Sequence, residues 1–233
     1  MATVGVTATP YRAVSDSPPA GALQRIGGIV ALAEGLFLAA FLALVFLVLP
    51  GLGFEASYFQ DPPRFVEFIA AHYGLYFWTA LIGVVIAGTL VLAVQALHER
   101  ARAGAPALAG AAAAFGYVGA VALFLNWLFQ YAAVRVAGSA PAVAVGYQQG
   151  AGVVFTMTNM GAFVALGVWA ALLSWAALSR GGLPRALAYF GLLTGLADLL
   201  VLFDLPLGGI LSAVWFVAVG AVLLLGRPSG AEA

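Results

Sequence analysis

Six apolar stretches, each long enough to cross a lipid bilayer, predict an all-α, polytopic membrane protein with six transmembrane helices. Three observations carry that prediction. Of 233 residues, 64% are hydrophobic and only 8% charged, and mean hydropathy is +1.07. One water-soluble core of this size cannot hide so much apolar surface, so lipid must solvate much of it. The apolar runs reach the ~20 residues that a ~30 Å hydrocarbon layer demands. Finally, the arginines gather at alternate ends of those runs.

Span 1 is expected over Ile26–Leu49, ending at Pro50-Gly51. Gly27, Ala31, Gly35 and Ala39 recur every four residues, a small-residue stripe that lets another helix come close. Asp61-Pro62-Pro63 supplies an N-cap followed by proline in a first turn. Phe65, Phe68, Ile69 and His72 then share a face, with Arg64 and Glu67 off it. This reads as a short interfacial helix between spans 1 and 2, over the mouth of the bundle, or as the first turns of span 2 hinged at Gly74. Span 2 follows over about Leu75–Leu97, with Trp78 at interfacial depth, and closes on His98-Glu99-Arg100-Ala101-Arg102. Span 3 covers about Ala107–Val134. A loop is expected over Val136–Gly150, which has Arg135 at its edge and holds Pro141 and Gln148-Gln149. Span 4 runs over about Ala151–Leu178, and Ser179 to Arg185 make a tight turn. Span 5 occupies about Ala186–Leu205, with Ala188, Gly191, Gly195 and Asp198 on one face. Asp204 reads as a turn residue before Pro206, and span 6 continues over Leu207–Leu225.

The domain plan is a disordered tail over 1–22, a six-span bundle over 23–226 and a short tail over 227–233. The first tail is small and polar, with Pro10, Pro18 and Pro19, and has too little to bury to offset its ordering entropy. A cleavable leader fits poorly, because the apolar run after Arg25 far exceeds a 7–15-residue core. Arg12, Arg25, Arg100, Arg102, Arg180, Arg185 and Arg227 fall on one side of this plan, Arg64 and Arg135 on the other. The positive-inside rule makes both termini cytoplasmic. Three spans plus three also allow an inverted pair, with Glu34 and Asn159 at matching depth.

Composition excludes much chemistry. The absence of cysteine removes disulfides, thiolates and iron–sulfur clusters, and the absence of lysine removes a Schiff base. Zero net charge gives nucleic acid no electrostatic hold. His72 and His98 sit at opposite ends of span 2, so neither haem nor another metal is expected. No cofactor and no catalytic motif is expected, and His98 reads as a solvated helix end.

What remains is a set of polar residues at costly depth. At ~1.5 Å per residue, Glu34 lies ~14 Å below Arg25, and Asp198 ~20 Å from the same side. Asn126, Thr158 and Asn159 join them in a candidate polar layer. Functionally these carboxylates would titrate or coordinate a cation. Structurally, Glu34 would hydrogen-bond an Asn or Thr of a neighbouring helix and serve as glue. A separate apolar cavity among Trp127, Tyr131, Phe155 and Trp215 is also considered.

Leu23-Gln24-Arg25-Ile26-Gly27-Gly28, Gly182-Leu183-Pro184-Arg185 and Gly191-Leu192-Leu193-Thr194-Gly195 resemble a widespread set of bacterial six-span proteins known only as a domain of unknown function. The resemblance spans roughly Leu23 to Leu225, implies a compact six-helix bundle and carries no catalytic residues. Two functions are therefore expected of a multi-pass protein in a bacterial cytoplasmic membrane. One is non-enzymatic action through lipid, a membrane-protein partner or a second copy of the chain. The alternative is a small transporter or proton/ion pathway using Glu34 and Asp198. A topology reporter fused after Arg102 is expected to report the cytoplasm, and one fused after Gln149 the opposite side. Fusions assayed in growing cells check both.

Overall fold

The computed structural model describes residues 20–203 and 207–225. Those residues are helical throughout their ordered elements, with no strand among them, and six helices are long and apolar enough to cross a membrane. Of the expected tails, residues 1–19 of the first and all of 227–233, together with the Asp204-Leu205-Pro206 turn, lie outside the described residues. Helix begins at Ala20, so the last residues assigned to the leading tail are part of span 1.

Span 1 is α-helical over Ala20–Ala43, widens to a π-helix over Leu44–Val48 and resumes as one α-turn, Leu49–Gly51. Pro50 explains the widening. It has no N–H for the Phe46 carbonyl and its ring crowds that turn, so the helix takes in an extra residue and the Leu49 amide bonds to Leu44. The short helix is Pro62–Ala71, with the Asp61 carboxylate accepting from the Arg64 amide at 3.3 Å. It ends at His72, not Gly74, and is separate from span 2, Tyr73–Arg102. The His72 Nδ1–H donates to the Phe68 carbonyl there.

Span 3 is Pro106–Ser139 and span 4 is Pro141–Arg180. The loop expected over Val136–Gly150 is therefore helix, broken only at Ala140. Pro141 explains the economy. In the first helical turn its missing N–H costs nothing, so one helix stops and the next starts at a single joint. At 1.5 Å per residue these helices are about 51 and 60 Å long, and they stand well clear of a ~30 Å hydrocarbon layer. The short helix packs on the projecting tip, where Val66 and Ile69 meet Val134, Ala137 and Ala144. Span 5 is Arg185–Leu199 with a 3-10 turn over Leu200–Phe203, and span 6 is Leu207–Leu225.

The spans form a ring in chain order. Each packs on its sequence neighbours, and span 1 packs on span 6 to close it. The small-residue stripe of span 1 is spent in that closure. Side chains at Gly27 and Gly35 would collide with Ala96 of span 2 and with Ala213 and Val217 of span 6, and Gly28 lies against Gly220. Only Ala39 of the stripe is exposed. A ring in this order cannot be the three-plus-three inverted pair. A two-fold axis in the membrane plane reverses the order of helices around the ring, whereas matching spans 1, 2, 3 to 4, 5, 6 needs it kept.

The arginine-rich half of the ring is solid. Leu90, Leu97, Leu173, Leu223, Trp169 and Trp215 are fully buried there, and the two indoles meet edge to face at 5.4 Å. Alanines and glycines of spans 2 and 3 let these large groups in: Gly116 faces Val94 and Trp169, and Gly119 faces Leu166. Polar ties bind the same end. Tyr117 donates to Gln95, which donates to Glu99, which pairs with Arg102 at 2.7 Å. His98 is not a free helix end, since its Nδ1–H donates to the Ala109 carbonyl of span 3 at 3.1 Å. Arg100 donates to the carbonyl of Gly182, in a turn whose Gly181 and Gly182 take φ of 87° and 104°.

Backbone contact at the ring seam has a direct consequence. A Cβ at Gly35 would come within 2.7 Å of the Ala213 carbonyl oxygen and the Val217 amide nitrogen, neither of which can yield. Gly35→Ala is expected to cost about 1–3 kcal/mol. Gly110 has open space around it, and Gly110→Ala is expected to gain up to about 1 kcal/mol from helix propensity. Unfolding midpoints in detergent compare the two.

Candidate functional site

The opposite half of the ring is hollow. A cavity of about 670 Å³ lies among all six spans and beneath the short helix, which contributes Pro62, Phe65 and Ile69 to its walls. Its sides are aromatic and aliphatic, including Phe37, Phe41, Trp127, Phe155 and Phe216. Its polar groups come from five helices: Glu34, Asn126, Asn159, Asp198 and Ser212 all line it. No Arg or His is among the described residues that do.

Glu34 is 4% exposed. It is held on span 1 next to Gly35, at the point where span 1 presses on span 6. Its Oε2 is buried and has no hydrogen-bond partner among the described residues. The glue reading required an Asn or Thr donor, and none reaches it. The nearby amides are engaged with one another: Gln130 donates to Asn126 at 3.1 Å, and Asn126 donates to Asn159 at 3.0 Å. Asn126 is itself 1% exposed, so this chain of amides is part of the wall and not a surface patch.

Asp198 is satisfied where Glu34 is not. It is 2% exposed, and the Ser212 hydroxyl lies 2.9 Å from both of its oxygens. Gly208 permits the approach of spans 5 and 6, because any side chain there would overlap the Asp198 carboxylate. Ala188, Gly191 and Gly195 share the buried face with Asp198, as the spacing predicted.

The polar layer therefore assembles from Glu34, Asn126, Asn159 and Asp198, but without Thr158. The Thr158 hydroxyl bonds back to Val154 and Phe155 of its own helix at 2.9 and 3.0 Å, and its side chain is off the cavity. Span 4 faces the cavity at 147, 148, 152, 155, 156, 159, 162, 163 and 166. A residue one position before Asn159 is turned ~100° away. Thr156, on the proper face, lines the cavity instead. The predicted apolar pocket divides in the same way. Trp127 and Phe155 line the cavity, Tyr131 packs on Phe77, and Trp215 lies in the solid half against Trp169.

Two contributors escaped the sequence reading. Ser212 is the partner of Asp198, and the hydroxyl of Tyr76 is a second buried, unpartnered polar atom on the cavity wall. Ser212 had a usable signal, since it and Asp198 are equidistant from Leu205 across a helical hairpin and must lie at similar depth. Tyr76 had none, because interfacial tyrosines are common and its aim into the bundle depends on packing.

The class these features define is a six-helix membrane bundle with a cavity toward one end and a solid core at the other. The chain belongs to the family described as Domain of unknown function (DUF4386), which it matches over residues 34–226. No curated protein and no solved structure matches it.

The two acids differ in what their removal should do. Ser212→Ala strips Asp198 of its donor and is expected to cost about 1–3 kcal/mol of stability. Glu34→Met removes a buried polar atom that nothing satisfies, and is expected to leave stability unchanged or raise it. Thermal unfolding of the two variants in the same detergent checks the contrast.

Proposed function

We propose that this protein is a non-enzymatic carrier of a bacterial cytoplasmic membrane, which takes a small solute into the cavity and exchanges charge at Glu34 and Asp198. One observation carries the reading: the two carboxylates line a single cavity, one of them buried and unpartnered. Ionisable groups at such depth are costly, and their usual use is a substrate or ion pathway. An acid kept only for helix packing would be expected to meet a separate helix and a donor.

The positive-inside rule places the arginine-rich end, and with it both termini, in the cytoplasm. The cavity then lies in the outer half, beneath the short helix, and the filled half around Trp169 and Trp215 acts as the closed gate. Passage requires that floor to open while the mouth shuts. The short helix is suited to shutting the mouth, since it is separated from span 2 by the break at His72 and covers the cavity with Phe65 and Ile69. Action through a protein partner has less support, because the small-residue stripe that invited one is used inside the ring.

Proteoliposomes with an acid interior and an enclosed pH dye test the reading. Cationic, neutral and anionic amphipathic solutes are added outside in turn. Wild type is expected to release protons with at least one class, and Glu34→Gln to lose that response. Identical traces for both proteins with every class would overturn the carrier.

A further inference from the structure

Resting on the carrier reading, we infer that the solute is an organic cation, an amine or quaternary ammonium with an apolar body, whose charged head is held at Glu34 against the rings of Phe37, Phe41 and Trp127. Charge is the first reason. Two carboxylates line the cavity and no Arg or His of the described wall opposes them, while lysine is absent from the chain. Asp198 already accepts from Ser212, so Glu34 is the acid left to receive a ligand.

The ring geometry is the second. Phe37 and Phe41 follow Glu34 on one face of span 1, at helical spacings that stack side chains above one another. Trp127 of span 3 crosses both edge to face, with centroids 5.2 and 5.1 Å away and planes at 64° and 81°. Rings crossing at these angles, in the same cavity wall as the carboxylate, form a corner that offers a cation both counter-charge and π faces. In hydrocarbon surroundings that pairing is stronger than at a wet surface.

Volume and wall chemistry favour an organic cation over a bare metal ion. About 670 Å³ of mostly aromatic and aliphatic wall matches a drug-sized molecule. A bare metal ion needs a shell of oxygen or nitrogen ligands, and no cluster of three His, Asp or Glu exists among the described residues. A neutral lipid or a hydrocarbon fits the volume but leaves Glu34 without a partner. The Tyr76 hydroxyl, unpartnered on the same wall, adds a second polar contact for a body carrying a donor or acceptor.

The test is calorimetric binding to the full chain in nanodiscs of zwitterionic lipid. Three probes share one body: phenylbutyl-trimethylammonium, its neutral isostere with carbon in place of nitrogen, and phenylbutanesulfonate. The ammonium is expected to bind saturably, and the other two not to bind. Glu34→Gln is expected to weaken it by about tenfold or more. Phe37→Leu, which keeps the apolar volume and removes a π face, is expected to weaken it by about threefold or more. Equal binding of the neutral isostere, unchanged affinity in Glu34→Gln, or failure of the ammonium to bind would each overturn the organic cation. Proton release from the proteoliposomes with a neutral or anionic solute alone would leave the carrier standing and remove only this inference.

Discussion

The seam between the first and last spans is the contact on which the rest of the structure depends. Gly28 and Gly220 face each other so closely that a Cβ on Gly220 would reach the Gly28 carbonyl at 2.8 Å, and Gly35 lies as tightly on Ala213 and Val217. Lipid gives two helices no hydrophobic reason to associate, so backbone-to-backbone contact between small residues has to do it. Closing that seam turns a row of hairpins into a ring. It also walls in Glu34, which precedes Gly35 on span 1 and lines the cavity together with Ser212 and Phe216 of span 6.

A closed ring need not be hollow, and half of this one is not. At the arginine-rich end, small residues on spans 2 and 3 draw the helices in and two tryptophans fill the middle. Toward the other end the inward residues are larger and stand against one another, as Phe37, Phe41 and Trp127 do, and the space between helices stays open. The helix lengths reinforce the difference. Span 5 stops at Leu199 while spans 3 and 4 project far beyond it, and the projecting tip anchors the short helix across the opening. An unpartnered acid within such a cavity lowers stability without adding to the fold.

Several details were beyond the reach of pattern reading, each for a physical reason. A proline and two glutamines made Val136–Gly150 look like a loop, yet Pro141 sits where a proline starts a helix, and Gly138 is needed because the Tyr73 ring lies where its side chain would go. His98 looked solvated from its charged neighbours, but its partner, the Ala109 carbonyl, belongs to the next helix. Thr158 and Thr156 are alike in type and depth, and only the rotation of span 4 about its axis tells them apart. Lipid-facing and cavity-facing positions are both apolar here, so periodicity carries little information about that rotation.

By itself the sequence determined that six helices cross a hydrocarbon layer, where most of them begin and end, and that Glu34 and Asp198 face protein. Length, hydropathy and the cost of burying charge are properties of a single segment and its solvent. Tertiary structure alone decided that the helices close in chain order, that one end is solid and the other hollow, and that Asp198 finds Ser212 while Glu34 Oε2 finds no partner among the described residues. Those outcomes depend on how surfaces from distant parts of the chain fit, and side-chain shape at a helix contact is not encoded in any one of the helices that make it.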